Sequence, residues 1–175
     1  MLFFTAVLLM FTVGISAAQA ASPHFKRGGS PVCEVSAAGS TSTTTCTAVL
    51  AGLGNEDLVA TVTVAGYAVY ECQNYGGNVA PGQNKVVTGP VTEPTSVPSD
   101  AIKNGTLRLA TDPVTLSAPD TATAAEAGCP NGNWQGINPV LTVTSIQLTI
   151  TQGTFSVTCW AYNENGLTGS VALTC

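Results

Sequence analysis

From residue 32 onward the chain alternates apolar and polar side chains with a period of two, and little else competes with that pattern. In 58–72, Leu58, Ala60, Val62 and Val64, then Ala68, Tyr70 and Cys72, share one parity. Successive side chains of an extended strand point to opposite faces, so such a run buries one face and wets the other. Val, Thr, Ile and Tyr fill these positions, the β-branched and aromatic types that fit a pleated surface. Beyond residue 20 there is no 3.6-residue apolar stripe; 122–127 is helix-like in composition but runs at once into Gly128 and Pro130. Short, regularly punctuated strands imply an all-β fold: an antiparallel two-sheet sandwich, immunoglobulin-like or related, of about eight to ten strands.

Several irregularities are expected. The run 58–72 exceeds an ordinary strand, so Ala65-Gly66 should mark a bend or bulge where the strand passes between sheets. In 140–151 the apolar phase slips from Leu141 and Val143 to Ile146, Leu148 and Ile150, which a β-bulge near Thr144-Ser145 would restore. Pro94 and Pro98 make 92–100 irregular, and the Gly/Asn-rich 73–84 reads as a loop. In 154–162, Phe155, Val157, Cys159 and Ala161 point together, leaving Trp160 and Tyr162 on the other face. Asn163-Glu164-Asn165-Gly166 then reads as a hairpin turn, with Val171, Leu173 and Cys175 as the last inward set.

The six cysteines lie at least 13 residues apart, far from the paired spacing of zinc sites, so disulfides are expected. A hairpin turning at Gly39-Ser40 sets Cys33 opposite Cys46. Four cysteines remain. A tight turn at Asn165-Gly166 would face Cys159 with Ala172, whereas a longer loop centred on Leu167 pairs Cys159 with Cys175. The favoured set is Cys159–Cys175 with Cys72–Cys129.

Residues 1–20 look like a signal peptide: an apolar run over 2–15, then the small-x-small ending Ala18-Gln19-Ala20. The run is too short to span a bilayer, and its start carries no Lys or Arg. Removing 20 of 175 residues leaves 155, enough for one domain, placed at 28–175. Residues 21–27 read as a propeptide or a flexible arm ending in the dibasic pair Lys26-Arg27. Cutting there would discard His24, the chain's one histidine, and leave three basic against ten acidic residues, a net charge of −7. Asn104-Gly105-Thr106 is a candidate glycosylation sequon. The last residues, 171–175, lack the apolar tail of a lipid anchor. The expected product is soluble and extracellular.

With 9% charged residues and a net charge of −5, the chain offers little to displace counterions from phosphate. Nucleic acid and membrane partners are therefore not expected.

Three loop segments carry a resemblance: Gly52-Leu53-Gly54-Asn55, the Cys72–Asn84 stretch, and Cys129-Pro130-Asn131-Gly132-Asn133-Trp134. Over 45–175 the chain resembles uncharacterised small secreted, cysteine-containing, β-rich proteins of filamentous fungi and actinobacteria. The resemblance implies secretion and a β fold, and transfers no catalytic residue.

Without a histidine in the body, Ser-His-Asp and Cys-His machinery cannot be assembled. The remaining acid/base option is a carboxylate pair drawn from Glu71, Asp100, Asp112, Asp120 and Glu126, while Glu56-Asp57 and Glu164 read as turn acids. No Asp-rich string suggests calcium. No catalytic residue, metal or cofactor is expected. The aromatic side chains say more. Trp160 and Tyr162 should stand side by side on one sheet surface, with Trp134 and Tyr75 in Asn/Gly-rich loops. Flat rings next to amides and hydroxyls suit sugar rings. The competing reading has Trp160 covered by a loop and Trp134 plugging the sandwich edge. The functional expectation is a secreted, non-enzymatic protein that binds at a cell surface or wall, to polysaccharide or a surface protein. One alternative is a carboxylate-dependent glycoside hydrolase or lyase. The other is a protease inhibitor presenting Tyr75–Asn84 after Cys72.

Overall fold

The computed structural model describes residues 22–175; the signal segment read at 1–20 lies outside the described residues. Twelve strands follow one another: β1 (His24–Phe25), β2 (Val32–Ala38), β3 (Thr41–Ala51), β4 (Leu58–Asn74), β5 (Val79–Pro81), β6 (Val86–Val97), β7 (Leu107–Ala110), β8 (Val114–Ser117), β9 (Ala122–Thr123), β10 (Trp134–Gln152), β11 (Phe155–Tyr162) and β12 (Gly169–Ala172). A 3-10 turn occupies Ser99–Ala101, and a one-turn helix, α1, occupies Ala124–Ala127. The helix starts at a capping box in which Thr123 and Glu126 satisfy each other's backbone N–H groups, and it ends at Gly128 in the left-handed region.

The strands form two six-stranded sheets whose pairings are antiparallel. In the first, β3 pairs with β1 and β2 and also with β7 and β8, and β12 lies beyond β2. In the second, β10 lies between β11 and β4, β9 also pairs with β10, and β5 and β6 line the far side of β4. The period-two parity becomes the core directly. Leu50, Ala48, Leu109 and Leu116 of the first sheet face inward, as do Val62, Val64, Leu148 and Ile150 of the second, all buried. Each Leu, Val or Ile among them contributes about 1.5–3 kcal/mol by leaving water. The protein is thus an all-β, two-sheet sandwich.

All three favoured disulfides are present: Cys33–Cys46, Cys72–Cys129 and Cys159–Cys175. The first joins residues directly opposite in the β2–β3 hairpin. The second ties the end of β4 to the segment after α1.

Several expectations are corrected. Among the described residues the strands number twelve rather than about eight to ten, because two-residue strands such as β1 and β9 leave almost no periodic signal. The arm read at 21–27 contains β1: His24 and Phe25 lie opposite Ala51 and Leu50, and Phe25 packs against the core. β4 keeps to one sheet along its whole length. The register shift against β6 does fall between Val64 and Gly66, and on the other side of β4 a Cβ on Gly66 would lie 2.0 Å from the Thr142 carbonyl oxygen of β10. Residues 92–97 continue β6 rather than being irregular; Pro94 is accommodated because β6 is an edge strand. The loop read at 73–84 contains β5, which zips back onto β4. The expected bulge in β10 falls between Val143 and Ser145, and a second lies between Ile137 and Val140, where Asn138 takes a positive φ of 49°. The turn after β11 does not make a hairpin. Asn163 and Leu167 donate to the Thr144 and Val143 carbonyls at that first bulge, and the chain crosses to the other sheet, where β12 pairs with β2.

Candidate functional site

On the outer face of the second sheet, strand register builds a platform from residues far apart in sequence. Trp160 lies opposite Gln147, which lies opposite Thr63, which lies opposite Thr92; Tyr162 lies opposite Ser145, which lies opposite Ala65. Trp160 is 58% exposed and Tyr162 65%, so no loop covers them. With Pro90, all of these but Thr92 line a shallow cleft of about 320 Å³. Hydroxyls continue the face on either side. Thr63 and Thr92 share a hydrogen bond of 2.9 Å, and Thr149 and Thr158 share one of 3.1 Å.

The Trp160 backbone is held from both sides. Besides its pairing with β10, it exchanges two 2.9 Å hydrogen bonds with Thr174, and the Cys159–Cys175 bridge fastens that tail in place. The ring therefore projects from a doubly paired backbone, and holding it there in the free protein lowers the ordering cost of binding.

Trp134 and Tyr75 do not join this platform. They line a separate cleft of about 290 Å³ with Gln73, Asn133 and Gln135. Trp134 and Gln147 are 13 positions apart on β10, roughly 40 Å at strand rise. Tyr75 is 94% exposed at a tip, while Trp134 is half-buried and packs against the core, so it does help to close the sandwich end. Two nearby amides are committed locally: Asn74 Oδ1 accepts from the N–H groups of Gly76 and Asn78, and Asn131 Oδ1 from that of Asn133.

The carboxylates are scattered. Glu71 accepts from Asn138 Nδ2 at 2.8 Å, and Asp57 accepts the Ser99 N–H at 2.7 Å. Hydrogen bonds from the Thr123 side chain, then its backbone, hold the Glu126 carboxyl below its ordinary range. The Tyr70 hydroxyl donates to the Pro119 carbonyl, and its pKa is raised, first by burial and then by Glu126 and Asp120. Neither aromatic cleft has an acid in its lining. Among the described residues no group of His, Cys, Asp and Glu gathers as a metal site. In the segment considered as an inhibitor loop, 79–81 pair with β4 and the N–H groups of Gly82, Gln83 and Asn84 donate to the Tyr70 and Ala127 carbonyls, leaving 75–78 as a turn closed on Asn74. Asn104 is exposed, in a turn at the end of the first sheet, away from the platform.

Sequence reasoning found Trp160 and Tyr162 by parity alone. It missed Ser145, Gln147, Thr63 and Thr92, whose outward parity was readable but whose adjacency depends on which strands pair.

No protein-family model matches the chain, and no curated relative does. A crystal structure of Bacteroides uniformis beta-glucuronidase is similar at 9% identity and a TM-score of 0.34, over 80% of this chain and 14% of the other.

Proposed function

We propose that this is a secreted, non-enzymatic protein that binds polysaccharide at a cell surface or wall through the outer face of its second sheet. The observation that carries this reading is the juxtaposition of exposed Trp160 and Tyr162 with Gln147, Ser145 and Thr63 in one cleft. Two rings offer flat apolar faces to the CH groups of a sugar, and the amide and hydroxyls alongside can bond its hydroxyls. A broad, open strip fits a polymer lying across it better than an enclosed small molecule. Three disulfides accord with an oxidising extracellular environment. Among the described residues no helix is long and apolar enough to cross a membrane.

The test is depletion of the purified protein from solution by insoluble chitin, β-glucan and cellulose. Binding to at least one is expected, with about a tenfold loss for Trp160→Ala, corresponding to about 1.4 kcal/mol, and little change for Trp134→Ala. No depletion by any of the three, or equal depletion by the Trp160→Ala/Tyr162→Ala protein, overturns the proposal.

A further inference from the structure

Three of the chain's five basic residues, Lys26, Lys103 and Arg108, lie at one end of the first sheet, and Arg27 follows Lys26 directly in the chain. The Lys26 N–H donates to the Val49 carbonyl from one side of β3, and Arg108 lies opposite Val49 on the other. Two strand spacings, about 10 Å, separate those cations. Parity turns them outward: Leu107 and Leu109 are buried on either side of Arg108, and Phe25 packs inward next to Lys26, while both cations are exposed. The turn carrying Lys103 is laid against the end of β3 by the Leu53 N–H, which donates to the Gly105 carbonyl at 3.0 Å.

Two shallow grooves, of about 560 and 410 Å³, share Arg108; one also holds Lys103 and Thr106, the other Ser30 and Thr47. Neither has a carboxylate in its lining. Nearby acids include Asp57, whose carboxylate is engaged by the Ser99 N–H, Asp100, whose backbone carbonyl accepts from Lys103 Nζ, and exposed Asp112, two residues beyond Ala110. The fifth cation, Lys85, sits elsewhere, over the Tyr67 ring.

We propose that this end of the first sheet binds an acidic polysaccharide, a glycan bearing carboxylates or sulfates along its length. Arg108 supplies a planar fork to a carboxylate or sulfate, as can Arg27, the two lysines act as point charges, and Ser30, Thr47 and Thr106 face sugar hydroxyls. A glycan fits better than a nucleic acid because neither groove offers an aromatic ring for a base to stack on. The site lies on the opposite sheet from Trp160 and stands without the platform.

The experiment measures binding to polygalacturonate and dextran sulfate, with dextran as the neutral control, between 50 and 200 mM salt. Binding to the acidic polymers and not to dextran is expected, with log affinity falling against log salt at a slope near −3 for about four cations. Arg108→Gln/Lys103→Gln should lower affinity about tenfold at 50 mM salt and reduce the slope by about 1.4; Lys26→Gln/Arg27→Gln should act in the same direction. Trp160→Ala/Tyr162→Ala should retain full binding, which separates failure of this site from failure of the platform. The proposal is overturned if neither acidic polymer binds, if both charge variants bind unchanged, or if loss of the aromatic pair removes binding. Equal binding to an oligothymidylate or to phosphatidylserine vesicles also overturns it.

Discussion

Replacing Thr44 with valine should make this protein more stable, although it removes a polar group from a natural core. Thr44 is fully buried on β3 between Val35 and Val114, and among the described residues its hydroxyl has no hydrogen-bond partner. A hydroxyl buried in that way costs about 1–3 kcal/mol relative to water, and valine keeps both the shape and the β-branch. The expected gain is about 1–2 kcal/mol, or about 3–6 °C in Tm for a chain of this size. The same exchange at Thr111 should do the reverse. Thr111 Oγ1 accepts the Cys46 N–H at 2.9 Å, so valine would orphan a buried donor and lose about 1–3 kcal/mol. Urea unfolding of the oxidised proteins, with m-values compared to confirm an unchanged denatured state, reads both. If Thr44→Val destabilises, the Thr44 hydroxyl is engaged in the native state; if Thr111→Val stabilises, the Cys46 N–H does not depend on Thr111; either result refutes the reasoning.

Gly66→Ala should destabilise by about 3 kcal/mol or more, since the added Cβ meets the Thr142 carbonyl oxygen and both are backbone-anchored; a urea midpoint near wild type would refute the close approach. The Glu126 pKa is depressed in the folded state, so the stability it lends is complete above its ordinary value of 4.5 and is lost as pH falls through its folded value. Urea midpoints from pH 6 down to 2 should therefore decline less steeply for Glu126→Gln than for wild type. Cys159→Ala/Cys175→Ala opens a loop with a sequence separation of 16 and should cost about 3 kcal/mol. It should also weaken polysaccharide depletion, because Thr174 no longer clamps the Trp160 backbone; unchanged depletion would show that the clamp does not matter.

Parity was the legible part of this chain. Alternation in 58–72 and 140–151 gave the inward sets of β4 and β10, and the phase slip at Thr144-Ser145 located a bulge, because a one-residue slip moves every later side chain to the other face. Pairing was legible only where it was local, as in the Cys33–Cys46 hairpin. Pro94 was misread because tolerance of proline depends on whether a strand is at an edge, and edge position is set by distant partners. The crossing after β11 was misread because Asn163 and Leu167 bond to carbonyls of β10, which no local turn signal reveals. The site divides in the same way. Two neighbouring rings followed from spacing, whereas their polar companions and the cluster of cations required the register.

The edges of the second sheet bear on how the protein would behave when crowded on a surface. Pro90 and Pro94 lie in β6, lacking the N–H groups that an incoming strand would need, and beside Trp160 the β11 edge is occupied by the chain's own tail at Thr174. Copies crowded side by side would be hindered from stitching through these two stretches into a continuous sheet. Adsorption should therefore saturate as a monolayer of independent molecules with a simple one-site isotherm, and rinsing should release the proteins singly.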